Sequence, residues 1–281
     1  MQKTIRKIGD MRRAAPIISK IPGIFGAVAG SPDAEILEYN SREVFPAASL
    51  IKIPILIVFL QELESGNLKF SETIFLKKKD KVGGSGILFE LHDEIPLTLL
   101  DLATLMIVVS DNTATNLLID RMGISVIQKK IIEYGLKRTI LGRKLMVAPD
   151  APPANFTTPY DMFLLFQELL SEKILSKKYM NLALDILSRQ QYNEKIPLLL
   201  PQNLKVAHKT GEISGARHDC GIIIKGSRKL ILCFLTKELK DELKTDRLLA
   251  ELSLELYQKF LKLESLLLSK NVIFLVPNQK Q

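Results

Sequence analysis

At 281 residues, 47% hydrophobic and 25% charged, the chain can form one large domain or two small ones, with an ordinary globular composition. Its net charge of +8 is scattered, and the densest run, Lys77-Lys78-Lys79-Asp80-Lys81, has no aromatic beside it and reads as a solvated loop. No nucleic-acid partner is expected, and with no apolar run near the roughly 18 residues of a membrane helix, no integral membrane segment either.

Lys3, Arg6, Lys7, Arg12 and Arg13 precede the apolar stretch 21–30, where Ala27-Val28-Ala29 mimics a cleavage site. Lys20 and Pro22 interrupt that stretch, and IFGAVAG reads as a first strand over 23–29. A turn at Ser31-Pro32-Asp33 leads to a second strand over 34–39. The strand reading implies a cytoplasmic chain, with export to the cell envelope left open. A helix is expected from near Ser49 to about Glu64, stopped at Ser65-Gly66-Asn67 and locally distorted by Pro54. Gly83-Gly84-Ser85-Gly86 lacks the following Lys and helix of a phosphate-binding loop.

Thr98-Leu99-Leu100-Asp101 is a capping box ahead of a buried helix, LATLMIVV. Helices follow over Ala114 to Arg121, stopped by Gly123, and over Ser125 to Tyr134. Thr158-Pro159-Tyr160-Asp161 is a second capping box, with Pro at the first helical position, and another helix is expected near 177–188. The texture then changes to three strands, at Leu204 to His208, Cys220 to Ile224 and Leu230 to Leu235. A helix from Glu238 to about Leu267 completes the chain's pattern. Gly226-Ser227 signals a two-residue hairpin whose centre lies midway between Cys220 and Cys233. The two cysteines therefore face each other at a non-hydrogen-bonded pair, where a disulfide is possible and two reduced, buried thiols are the cytosolic default.

Strands at both ends and helices between suggest a single domain of the α/β (α+β) class. Residues 1–45 and 200–281 would form a sheet lobe and 46–199 a mainly helical lobe, with a cleft between them. Ser49 is the one serine followed by lysine at the fourth position of a Ser-x-x-Lys. Three residues is nearly one helical turn, so Ser49 and Lys52 share a face. Ser49 would stand at a helix N-terminus, whose dipole favours developing negative charge. Among Ile51, Ile53 and Ile55, Lys52 would lose solvation, which lowers its pKa and makes a neutral amine available as a base. Ser110-Asp111-Asn112 follows the apolar helix abruptly, and Lys209-Thr210-Gly211 ends the strand LKVAH. The alternatives are a plain cap with a snorkelling lysine, a helix cap and a strand exit.

With these three motifs in order, the sequence resembles the class A β-lactamase and penicillin-recognising serine enzyme family. The resemblance spans about Ile21 to Leu267 and is carried by FPAASLIK, LMIVVSDNTATNLLID, NFTTPYDM and VAHKTG. It implies a sheet lobe and an all-helical lobe with the site between. It also implies that Ser49 is the acylated nucleophile, Lys52 its proton acceptor, Ser110 a proton relay to the leaving nitrogen, and Asn112 the holder of the substrate amide. Lys209 and Thr210 would bind the substrate carboxylate, beside Gly211. The backbone N–H groups of Ser49 and Glu212 would form the oxyanion hole. Arg217 either assists with the carboxylate or is a surface residue. A monomer acting on β-lactams or peptidoglycan-type peptides without a cofactor is expected. No metal is expected either, because His208, His218 and Cys220 lack zinc spacing and a fourth donor. A non-catalytic descendant binding a ligand or partner in the same cleft is the alternative.

The resemblance breaks at one loop. Class A β-lactamases carry there a Glu that activates the deacylating water. The stretch Arg143 to Asn155, RKLMVAPDAPPAN, contains none, and alignment of its ends puts the Glu position on Leu145. Asp150 is the one acid in the loop and the alternative base, against which its shorter side chain and the nearby prolines weigh. Fast acylation followed by slow turnover is the expectation, because a base positioned on water is typically worth about 10²–10⁴-fold.

Overall fold

Strands from both ends of the chain build one antiparallel sheet. The computed structural model describes residues 6–7, 13–147 and 154–273, with side chains as far as Lys262. At the N-terminal end lie β1 (Arg6–Lys7), α1 (Ala14–Ile18), β2 (Ile24–Ser31) and β3 (Ala34–Tyr39). β4 (Phe45–Pro46), a 3-10 turn over Ala48–Ile51 and α2 (Lys52–Glu64) follow. A small ladder of β5 (Thr73–Phe75) and β6 (Pro96–Thr98) precedes α3 (Leu99–Val108), α4 (Asn112–Met122) and α5 (Ile124–Glu133). β7 (Phe156–Thr157) pairs with β4, and α6 (Pro159–Leu170) and α7 (Lys177–Ser188) come next. β8 (Lys205–Ile213), β9 (Ala216–Lys225), β10 (Arg228–Lys237) and α8 (Glu242–Ile273) finish the fold. The main sheet has the order β1-β3-β2-β10-β9-β8.

Both faces of this sheet are covered, which is why β2 is a continuous apolar run instead of an alternating one. One face packs Phe25, Ala27, Ala29, Leu232 and Phe234 against α1 and α8. The other turns Val28, Cys220, Ile222 and Cys233 toward α2 and its neighbours. α6 lies directly on β2 and β10. Its approach needs Gly26: a Cβ there would stand 2.8 Å from the Phe45 ring and 2.9 Å from Pro159. Among the described residues, no helix is long and apolar enough to cross a membrane.

Local chemistry explains most boundaries. Thr98 and Asp101 form a reciprocal capping box at α3. Gly123, at φ 88°, ends α4. Thr158 accepts from Asp161 N–H, with Pro159 at the first helical position of α6. The second half of that predicted box is replaced, because the Asp161 carboxylate instead accepts from Arg138 N–H and the Thr139 hydroxyl. Pro54 sits in the first turn of α2, where backbone N–H groups have no helical partner anyway, so the expected distortion is confined to the 3-10 turn ahead of it.

Two expectations are corrected. Lys209-Thr210-Gly211 lies inside β8 and not at its end, because β8 pairs with β9 as far as Ile213↔Ala216, around a tight turn at Ser214-Gly215. α8 begins at Glu242 and not Glu238, because β10 continues to Lys237 and Asp241 then accepts from Lys244 N–H. The short pairs β4–β7 and β5–β6 and the five-residue α1 were not predicted, since elements this short carry no usable period. The hairpin at Gly226-Ser227 pairs Arg228 with Lys225 and sets Cys233 opposite Cys220, as the sequence predicts. Both thiols are free and buried. Burial, then the hydrogen bond with Cys233, pushes the Cys220 thiol well above its ordinary range.

Candidate active site

α2 is buried on every side from Lys52 to Leu60, as expected of a helix apolar all round. Lys52 is its one charged group in that stretch and is wholly inaccessible, so its nitrogen must find partners inside the protein. It finds three: the Ser110 carbonyl at 2.7 Å, Asn112 Oδ1 at 2.8 Å and Ser110 Oγ at 3.1 Å. Ser110 Oγ is in turn 3.0 Å from Ser49 Oγ. Lys52 thus reaches Ser49 through Ser110 and not directly. Burial, then the Lys209 charge, pushes the Lys52 pKa well below its ordinary value, and Asp111 opposes them. A neutral amine has two N–H donors and one lone pair. Of its three partners only Ser110 Oγ carries a proton, so the lone pair must face Ser110. As placed, Ser110 Oγ–H donates to Ser49 Oγ; once the Ser110 proton turns to the neutral amine, Ser110 can accept from Ser49.

The backbone is strained on both sides of this contact. Ala48, just before Ser49, has φ 45°, and Ser110 has φ 54°. Neither is glycine, and such residues persist only where surrounding contacts hold them. Around Ser110 the contacts come from Asp111, the N-cap of α4. Its Oδ1 accepts from Ala114 N–H at 2.8 Å, and its Oδ2 from Ile87 N–H at 2.7 Å and Leu88 N–H at 2.9 Å. The triplet divides its work: Asp111 caps the helix and pins the 87–88 loop, while Ser110 and Asn112 face Lys52. Asn112 Nδ2 donates to the Gly83 carbonyl at 3.1 Å.

β8 supplies the opposite wall. Its approach to the Ser49 turn is so close that a Cβ on Gly211 would stand 3.2 Å from Leu50 N, Leu50 Cγ and His218 Cδ2. Thr210 is buried opposite Asp219. Lys209 is fully buried, and among the described residues its hydrogen bond is to the Thr210 carbonyl, at 2.8 Å. Burial pushes its pKa down to about 7 against the pull of Asp219, and Lys195 lowers it further. Lys209 in an unfolded chain titrates near 10.4, so between about 7 and 10 the unfolded state binds more protons. Its contribution to stability is therefore fully present above about 10 and lost as the pH falls through about 7. Denaturant midpoints are expected to rise more in wild type than in Lys209→Met between about pH 7 and pH 9.5. Parallel changes in the two proteins would contradict this.

Glu212 and Arg217 belong to an ion cluster on the α8 side. Lys195, fully buried, is hydrogen-bonded to Glu212 Oε1 and lies 3.6 Å from Asp246. Arg217 pairs with Glu242 through Nη2, with Glu212 at 3.9 Å and Asp246 at 3.7 Å. Burial would raise the Glu212 carboxyl, but Lys195 and then Arg217 hold it below its ordinary value. For Asp246 burial wins and the pKa is raised. Sequence reasoning missed Lys195, Glu242 and Asp246, because nothing in Asn193-Glu194-Lys195 or in the first turn of α8 distinguishes them from solvated charges.

Asn116 is one helical turn from Asn112 on α4 and grips the backbone of Leu145. Leu145 N–H donates to its Oδ1 at 2.8 Å, and its Nδ2 donates to the Leu145 carbonyl at 3.0 Å. The Leu145 side chain packs against the core. Asp150 lies outside the described residues. His208 bonds Asp219 at 2.9 Å and Asn193 at 3.2 Å, and His218 bonds Pro46 O and Thr236 N–H, so all four ring nitrogens have protein partners.

The sequence profile described as the beta-lactamase enzyme family matches residues 12–260. "Beta-lactamase VEB-1" of Pseudomonas aeruginosa is 26% identical over 73% of this chain and 74% of its own length. The structure of a beta-lactamase from Sphaerobacter thermophilus superposes with a TM-score of 0.85 at 31% identity, covering 90% of this chain and 98% of that one. PBP-A superposes with a TM-score of 0.82 at 28% identity, covering 92% and 100%. A leucine-to-glutamate mutant of PBP-A was solved as an acyl-enzyme complex with penicillin-G. The chain has an antiparallel sheet flanked by helices and a match over most of its length, and it belongs to the beta-lactamase enzyme family, as a serine hydrolase of the class A type.

Proposed function

We propose that the described chain is one catalytic domain in which Ser49 attacks the carbonyl of a β-lactam and keeps the acyl group. The observation that carries this is the continuous chain Lys52–Ser110–Ser49, with a buried amine, Lys209, on the facing strand, hydrogen-bonded among the described residues to the Thr210 carbonyl. As Ser49 Oγ bonds to the carbonyl carbon, its proton passes to Ser110 and the Ser110 proton to neutral Lys52. When the lactam C–N bond breaks, Ser110 returns a proton to the leaving nitrogen and recovers one from Lys52. Asn112 holds the substrate amide, and Lys209 with Thr210 takes its carboxylate. The Ser49 and Glu212 N–H groups share the oxyanion, and Gly211, having no side chain, lets β8 lie close against the Leu50 backbone beside Ser49. Arg217 is drawn into its carboxylate partners Glu242, Asp246 and Glu212, so it makes no direct contact with the substrate carboxylate in this reading.

Leu145 favours a further reading. An aliphatic side chain cannot activate water, so the acyl-enzyme should persist, and acyl-D-Ala-D-Ala peptides of peptidoglycan become natural substrates beside β-lactams. The enzyme works as a monomer. Incubation with a penicillin followed by intact mass and peptide mapping tests this. A stoichiometric adduct on Ser49 that outlasts many acylation times is expected. Rapid multiple turnover with no adduct would refute the slow-release reading, and absence of both adduct and turnover would refute acylation.

A further inference from the structure

His218 stands in β9 directly opposite Gly211, with its ring wholly buried. Thr236 N–H points at its Nδ1 from 3.1 Å, and a backbone N–H can only donate. Nδ1 therefore carries the lone pair and Nε2 the proton. Nε2–H donates to the Pro46 carbonyl at 2.8 Å. Burial pushes the pKa down to about 4, so this neutral tautomer is the form present at neutral pH. The Phe45 ring meets the imidazole edge-on at 6.4 Å.

The position of that bond is what matters. Pro46 opens the segment Pro46-Ala47-Ala48-Ser49, whose Ala48 holds an unfavourable φ of 45°. From the other side Ala47 N–H is held by the Asn155 carbonyl at 2.9 Å. Gly211 passes between the His218 ring and Leu50, so close that an added Cβ would meet both at 3.2 Å. One imidazole thus ties together the sheet, through Thr236, and the segment leading to Ser49, through Pro46. It also sets the gap through which β8 runs.

We infer that His218 is a positioning residue for acylation, its Nε2–H bond to the Pro46 carbonyl fixing the Ser49 turn against β8. It touches no reacting atom. The inference rests on Ser49 being the acylated group. Misplacement of a nucleophile by about 1 Å can cost on the order of 10²-fold in rate.

Two amide variants separate positioning from stability, because each keeps one of the two hydrogen bonds. His218→Gln places an amide nitrogen near the Nε2 position, toward Pro46. His218→Asn places an amide oxygen near the Nδ1 position, toward Thr236. Acylation by a penicillin is measured over a range of concentrations, so that the limiting rate and the half-saturating concentration are obtained separately, alongside melting temperatures. The asparagine variant is expected to lose about tenfold or more in limiting rate with half-saturation little changed, while the glutamine variant stays within about threefold of wild type. Equal rates in the two variants, or rate losses that simply follow melting temperature, would overturn the inference. Should the asparagine variant not fold, the glutamine variant decides alone, a loss of about tenfold overturning the role. Wild type that forms no adduct would sink the acylation reading and this inference with it, and is told apart because it needs no variant.

Discussion

Lys52→Met is expected to slow acylation of Ser49 by about 10²–10⁴-fold, the usual worth of a positioned proton acceptor. The two side chains are similar in length, so the variant removes the amine with little change in volume. The Ser110 carbonyl and Asn112 Oδ1 each lose a buried donor, so some loss of stability is expected as well, and folding is verified by melting. The pH profile makes the prediction specific. Lys52 must be neutral to accept a proton, and its pKa is depressed, so the wild-type limiting rate rises with pH through that depressed value. Lys209 must be charged to attract a carboxylate, so apparent affinity for the penicillin weakens as the pH rises beyond about 7. In Lys52→Met the rising limb should vanish and the Lys209 limb remain. Stopped-flow acylation or time-resolved mass spectrometry measures both. A variant that acylates at the wild-type rate would show that another group takes the Ser49 proton.

Leu145→Glu is expected to speed release of the acyl group, by up to about 10²–10⁴-fold if the new carboxylate gains a water. Asn116 fixes Leu145 by both its N–H and its carbonyl, so the backbone is already held one helical turn from Asn112 and needs no rearrangement to present a different side chain. The substitution also removes an apolar side chain from the edge of the core, and a modest fall in melting temperature is the expected cost. Decay of the penicilloyl adduct, followed by mass after removal of free penicillin, gives the result directly. An unchanged lifetime in a folded variant would mean that a carboxylate at this position does not reach the acyl carbonyl. Leu145→Gln serves as the control, since an amide has similar size and no basicity.

Much of this was legible before any coordinates. The capping box at Thr98, the stop at Gly123 and the hairpin at Gly226-Ser227 are local signals, decided by a few neighbouring residues, and each holds in the fold. The apolar run around Lys52 pointed to a buried amine, and the structure decides against the snorkelling alternative, because Lys52 is wholly inaccessible. The order of Ser49-Lys52, Ser110-Asn112 and Lys209-Gly211 named the groups that meet. How they meet was not legible. That Lys52 reaches Ser49 through Ser110, that Asp111 serves the helix and loop while its neighbours serve the site, and that Gly211 threads between His218 and Leu50 depend on contacts between residues far apart in the chain. The ion cluster of Lys195, Glu212, Arg217, Glu242 and Asp246 is the clearest case. In the sequence these are ordinary charges on polar stretches, and only the packing of α8 against the sheet brings them together, with Lys195 fully buried while Glu212 stays partly in water. Short-range sterics and hydrogen bonding set the elements, whereas the burial and the neighbouring charges that together set each pKa shift exist only once the chain has closed on itself.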